Sequence, residues 1–170
     1  MYTFDMRALH AALDDERRAR GLSWEELTAE INVPFKGTTS IPISAGTIRS
    51  MSKKSSVTSA VVLQALRWLD RSPESFLSGR VGQSNPDERL PDAGDSRILR
   101  FDTQAIFAAL DEERHRRNLT WKQLVAELPG FTQSMVANLA EGPLIGFPRV
   151  MILTQWLKRP AAAFVRVRGR

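Results

Sequence analysis

FDMRALHAALDDERRARGLSWEELTAEI, residues 4–31, returns 97 positions later as FDTQAIFAALDEERHRRNLTWKQLVAEL, residues 101–128. Of the 28 aligned pairs, 15 are identical. Most of the others keep size or turn-forming chemistry: Gly21 stands against Asn118, Ser23 against Thr120, Glu26 against Gln123. Self-similarity at a long period marks one supersecondary unit built twice. The reading of this stretch therefore decides the architecture of both halves.

Two helices are written into each copy. The first begins behind Asp5 or Asp102, whose short carboxylate suits it to accept hydrogen bonds from the free N–H groups of a first turn. Ala8, Leu9, Ala12 and Leu13, matched by Ala105, Ile106, Ala109 and Leu110, follow the i, i+1, i+4, i+5 spacing of a buried helical face. The helix stops at Gly21 or Asn118, residue types that readily take left-handed backbone after a last turn. Just before the stop lie Arg17, Arg18 and Arg20, and in the second copy Arg114, Arg116 and Arg117. They complement a helix C-terminus, and the spacings Asp14–Arg18, Glu16–Arg20, Glu112–Arg116 and Glu113–Arg117 suit ion pairing; a patch for phosphates is the competing reading. The second helix opens with a capping box, Ser23 with Glu26 and Thr120 with Gln123. A hydrophobic staple accompanies it, Leu22 with Leu27 and Leu119 with Leu124. This helix runs to about Ile31 and Leu128, and Pro129-Gly130 closes the second copy.

Beyond this point the copies diverge. Phe131 to Leu139 reads as a tight turn and a short third helix capped by Thr132; its counterpart is Ser44 to Met51, capped by Ser44. The offset has fallen from 97 to 88, so the first copy holds nine extra residues within Asn32–Ile43. The register then holds: Val62 with Val150, Leu63 with Met151, Trp68 with Trp156, Phe76 with Phe164. A fourth helix ending at the tryptophan and a short element around Pro73–Leu77 and Pro160–Val165 complete each unit. Residues 79–97 have the composition of a polar linker between a first domain (1–78) and a second (98–170). When flexible, such a segment spans roughly 25 Å. Ile98-Leu99 and Phe164 to Val167 alternate weakly, the pattern of a small strand pair.

Composition narrows the function. In 170 residues, 42% hydrophobic and 25% charged is ordinary for two small globular domains. There is no cysteine, so disulfides and thiolate metal sites are excluded, and His10 and His115 lie in different copies and form no metal motif. With no Gly-rich phosphate loop, Ser/His/Asp set or metal spacing, neither an enzyme nor a bound cofactor is expected. The longest aliphatic run, Ala60–Leu63, is far short of the ~20 residues of a membrane span. The first residues lack the charged-then-apolar order of a signal peptide, and a cytoplasmic location is the expectation. The net charge of +5 is placed unevenly. Residues 98–170 hold 11 Lys/Arg against 6 Asp/Glu, including Lys158, Arg159, Arg166, Arg168 and Arg170; residues 1–78 hold 10 against 9. Such asymmetry fits an anionic partner held more tightly by one half.

This order of helices resembles the Cro/phage-repressor-like helix-turn-helix family. In the second copy the resemblance is carried by Glu113-Arg114, Asn118-Leu119-Thr120-Trp121, Leu124 to Leu128, Thr132 to Val136, Leu139 and Gly142. The first copy matches from Arg17 to Ile31 and again over Ser44–Met51. The resemblance implies an all-α fold of two tandem lambda-repressor-like bundles of four or five helices, each holding a helix-turn-helix. In that family the third helix lies in the major groove, its N-terminal residues against base edges. It thereby implies base reading by Gln133, Ser134 and Asn138, with Thr132 as a cap within reach of a phosphate. In the first copy the matching positions are the cap Ser44, then Ala45, Gly46, Arg49 and Ser50, with Lys53 and Lys54 as phosphate contacts. Gln and Asn amides suit adenine N6/N7, and arginine suits guanine O6/N7.

The chain also departs from the family pattern. Trp24 and Trp121 stand where relatives often place a phosphate-binding glutamine, and packing competes with hydrogen bonding as their role. Ser52 and Ala140 replace the glutamate that in relatives pairs with the first-helix arginine, which leaves Glu30 and Glu127 for Arg17 and Arg114. The insertion either carries Lys36 toward the DNA backbone or tilts the third helix away. The leading expectation is a sequence-specific regulator of double-stranded DNA acting as a single-chain pseudo-dimer. The alternative is a protein-interaction module that no longer reads DNA, and self-association stays open.

Overall fold

The computed structural model describes residues 1–54, 57–82, 85–142 and 145–168. The chain is mostly helical, with two small two-stranded sheets. Its first half runs β1 (Thr3–Phe4), α1 (Met6–Ala19), α2 (Trp24–Ile31), α3 (Ala45–Ser50), α4 (Ser59–Leu69) and β2 (Leu77–Ser78). The second runs β3 (Ile98–Phe101), α5 (Thr103–Arg116), α6 (Trp121–Ala126), α7 (Gln133–Ala137), α8 (Phe147–Leu157) and β4 (Val165–Arg168). The order repeats element for element. A 3-10 turn, Pro73–Phe76 or Ala161–Phe164, precedes the last strand of each half.

Local chemistry sets most of these boundaries. Asp5 and Asp102 accept from the N–H groups of Ala8 and Ala105, and both capping boxes close at α2 and α6. Gly21 and Asn118 take left-handed backbone, φ +66° and +55°. Helices α4 and α8 also end on left-handed residues, Asp70 and Lys158; aspartate tolerates that backbone, whereas lysine is not a residue type that announces it. Strand β3 pairs antiparallel with β4, and β1 with β2, so each half is tied start to end. The β1–β2 pair is too short for side-chain alternation to reveal it.

The halves meet about an approximate two-fold axis. The Ser59 N–H donates to the Ile145 carbonyl (3.2 Å) and the Phe147 N–H donates to the Val57 carbonyl (3.0 Å), with Thr58 opposite Gly146. At the offset of 88 these are the same three positions of the two copies. A contact in which i meets j and j meets i is isologous, the geometry of a two-fold dimer. The fully buried Phe147 ring stands between Phe4 (4.6 Å) and Phe101 (5.7 Å), which are equivalent residues of the two halves. Its own counterpart is the small Ser59, so a single ring fills the seam. On the flanks β3 packs on α4 and β1 on α8. The Gln64 amide donates to the Leu99 carbonyl (2.9 Å), and Gln155 both donates to and accepts from the Tyr2 backbone (2.8 Å each). One buried apolar cluster runs through both halves.

The described residues of the segment 79–97 form no free tether. Pro86–Glu88 forms a 3-10 turn packed on the turn Ala161–Phe164, Arg80 pairs with Glu88 (2.5 Å), and Arg67 donates to the Gly94 and Arg97 carbonyls. Leu90 and Ala93 dock it on the core, which overrides the polar composition that reads as a flexible linker. No helix among the described residues is long and apolar enough to cross a membrane.

Glu74 crosses the seam. Its Oε1 accepts from the Ala161 N–H (2.7 Å), while Oε2 is buried with no partner among the described residues. Burial pushes this carboxyl above its usual range, against the opposing Ala161 hydrogen bond. An acid whose folded pKa is raised binds its proton more tightly in the folded state. Its penalty is therefore absent below the ordinary carboxylate range, grows as pH rises from that range to the raised folded value, and is fully present above it. Glu74→Gln keeps the acceptor and removes the charge, so it should raise the urea midpoint at pH 7 and leave it unchanged near pH 4. A lower midpoint at pH 7 would contradict this.

Candidate nucleic-acid interface

In the second half, α6 and α7 are joined by a turn through Gly130 (φ +76°). The Thr132 hydroxyl accepts from the Met135 N–H (3.2 Å) and starts α7. Val136 and Leu139 are buried against the core, whereas Thr132, Gln133, Ser134 and Asn138 are exposed. Helix α7 is only five residues long and continues as a 3-10 turn, Asn138–Ala140. Met135 and Asn138 border a cleft of about 340 Å³ together with Thr58, Ile145, Gly146 and Arg149. The third helix thus lies beside the two-fold contact. Lys122 on α6 and Arg149 on α8 are exposed cations that sequence reasoning missed. Nothing local could have placed Arg149 near Asn138, because tertiary packing alone brings α8 to α7.

The first half keeps the frame and changes the surface. Ser44 accepts from the Thr47 N–H (3.1 Å), and Ile48 and Met51 are buried behind α3. Gly46, Arg49, Lys53 and Lys54 are exposed; Ala45 and Ser50 are half-buried. The Arg49 guanidinium lies 3.7 Å from the Glu25 carboxylate. At the equivalent positions the second half has Ala137 and Lys122, so the exposed acid beside this helix pair is replaced by a cation.

The insertion is a closed excursion. The Asn32 amide donates to the Ile43 carbonyl (2.7 Å) and its Oδ1 accepts from the Ile43 N–H (2.9 Å), which clamps the two ends together. Phe35 is buried and anchors the loop, Lys36 and Ile41 are displayed on it, and α3 stays packed on α2.

Aromatic residues hold the arginines at the end of α1 and α5. Arg17 donates to Asp14 and the Leu22 carbonyl and lies over Trp24 (4.8 Å), which stacks on His10. Arg114 repeats this with Asp111, the Leu119 carbonyl, Trp121 (4.8 Å) and Phe107. Glu30 and Glu127 do not serve these arginines, contrary to the expectation from the family pattern. They accept instead from the Trp68 and Trp156 indoles (3.3 and 2.7 Å), with Arg20 and Arg117 over those rings. The reason is proximity, since Asp14 and Asp111 lie one turn back on the same helices. Asp14–Arg18, Glu16–Arg20 and Glu113–Arg117 pair as their spacing suggests, but Arg116 turns to Glu113 and not to Glu112. Hydrogen bonds from Arg116 and Arg117 hold the Glu113 carboxyl down to about 2. These arginines complement their own helix ends, and Trp24 and Trp121 are packed. Of the basic C-terminal residues, Arg170 lies outside the described residues.

Comparison of the chain with protein-family models, characterised proteins and solved structures returns no match. The site therefore rests on its own geometry.

Asn32→Ala should release the excursion. Losing both bonds to Ile43 costs about 1–3 kcal/mol, and limited proteolysis should cut residues 33–42 markedly faster than in the wild type. Equal cleavage rates would show that the amide does not hold the loop.

Proposed function

We propose that the protein is a sequence-specific regulator that binds double-stranded DNA as a single-chain pseudo-dimer. In this reading residues 1–78 and 98–170 are two lambda-repressor-like units, with α2–α3 and α6–α7 as their helix-turn-helix pairs. One observation carries the reading: the reciprocal contact of residues 57–59 with 145–147, with the exposed face of α7 beside it. Dimeric regulators mirror the two-fold symmetry of their operators, and here the symmetry lies within one chain. Gln133, Ser134 and Asn138 are the base-reading residues of the second unit, with Lys122 and Arg149 directed at phosphates. Arg49 and Ser50 take the corresponding role in the first unit, with Ser44 as cap and Lys53 and Lys54 at the backbone. Because α3 and α7 differ in every exposed residue, the two half-sites are unlike.

A protein-interaction role is favoured only for the first unit, where Glu25 holds Arg49 and the insertion displays Ile41, 88% exposed. Salt dependence separates the readings, because phosphate contacts release counterions. Purified chain should select genomic fragments whose affinity falls steeply with salt. Gln133→Ala or Asn138→Ala should lose about 1–3 kcal/mol of discrimination at one position, with folding stability altered by no more than about 0.5 kcal/mol. Failure to retain any fragment at low salt would turn the assignment to the interaction module.

A further inference from the structure

The β3–β4 ribbon carries an arrangement that folding alone does not call for. Arg100 stands directly opposite Arg166 in the antiparallel pair, and Arg168 follows two residues along on the same face. Like charges opposed across a ladder destabilise it. Arg166 and Arg168 are exposed and Arg100 is half-buried. Burial, and then the nearby Arg168, weakens the hold of Arg100 on its proton. Among the described residues, none of the three forms an ion pair.

The first half supplies an internal comparison. Thr3 and Ser78 face each other at the positions equivalent to Arg100 and Arg166. The counterpart of Arg168 is Arg80, and it is neutralised by Glu88 at 2.5 Å. The unit thus folds without the opposed pair, and where the first copy has an arginine it supplies a carboxylate. The second copy bears three cations on one face and, among the described residues, no neutralising group. A repulsion kept without an internal partner is relieved by an external anion.

We infer that this ribbon is a second phosphate-binding surface, one that grips the backbone of duplex DNA outside the α6–α7 pair. The inference rests on the DNA-binding reading. Guanidinium groups match phosphate oxygens in paired hydrogen bonds. On this face Ile98 is buried, so no exposed apolar side chain accompanies the arginines, which favours a nucleic-acid backbone over a lipid surface. The ribbon also belongs to the half that carries Lys122 and Arg149. The grip on DNA is therefore lopsided, and the second half is the anchor.

The test gives the second ribbon the residues of the first, Arg100→Thr with Arg166→Ser, in the full chain. Binding to a short random-sequence duplex is measured across a salt series, beside binding to vesicles of phosphatidylserine and phosphatidylcholine. The slope of log affinity against log salt should become shallower by roughly 2, the loss of two phosphate contacts. The melting temperature without DNA should be unchanged or higher at low salt. An unchanged slope in a variant whose wild type binds DNA steeply overturns the ribbon alone. So does a markedly lower melting temperature, which marks the arginines as structural, or a loss confined to vesicles. A wild-type chain that retains no duplex overturns the underlying reading and this one with it.

Discussion

Two reciprocal backbone hydrogen bonds, Ser59 to Ile145 and Phe147 to Val57, set the relation between the halves. They form only when both segments run antiparallel and in register, so they fix an orientation as well as a contact. Phe147, wedged between Phe4 and Phe101, removes water from the seam. A hydrogen bond in a low-dielectric setting is stronger, and one broken there is costlier. Since α4 starts at Ser59 and α8 at Phe147, the same contact aims both helices and the elements packed on them. On one flank the docked segment adds the Gly94 and Arg97 carbonyls, which accept from Arg67 of α4, and the Arg80–Glu88 pair. In the proposed reading, two weak recognition surfaces held rigidly in one chain need not meet the ordering cost of a tethered pair.

On this symmetric frame the surfaces have diverged. Each half keeps the arginine-over-aromatic contacts: Arg17 with Trp24, Arg20 with Trp68 and Arg71 with Phe76 are repeated by Arg114 with Trp121, Arg117 with Trp156 and Arg159 with Phe164. Such contacts stabilise by about 0.5–1 kcal/mol each at exposed sites; they hold the ends of α1 and α5 against the second and fourth helices, and the residues after α4 and α8 against the final turns. What changes is exposed charge. Glu25 becomes Lys122, Arg49 becomes Ala137, and Thr3 and Ser78 become Arg100 and Arg166. The net positive excess of the second half is thus a matter of particular faces, and most of the arginines at its helix ends are spent internally.

Local chemistry was legible in the chain. Ser23 and Thr120 announce helix starts because a capping box is satisfied within four residues, and Gly21 and Asn118 announce stops because of backbone freedom. The third helices were readable from Ser44 and Thr132, and the exposure of Gln133, Ser134 and Asn138 follows from the burial of Val136 and Leu139. Long-range choices were not legible. Leu90 and Ala93 are too few to mark a docked segment, and Asn32 reveals its clamp only when Ile43 returns to it. Arg17 has two acceptors nearer than Glu30, a competition that spacing cannot rank. The seam itself was hidden, because Val57, Thr58 and Ser59 look like any loop entering a helix.

The claim that one chain is a complete two-fold reader is tested most directly by hydroxyl-radical footprinting on a selected duplex, with the stoichiometry measured alongside. One chain per duplex should protect two unlike half-sites on a single face, centred about 34 Å apart. Protection of one half-site only, or a requirement for two chains to cover the pair, would contradict it.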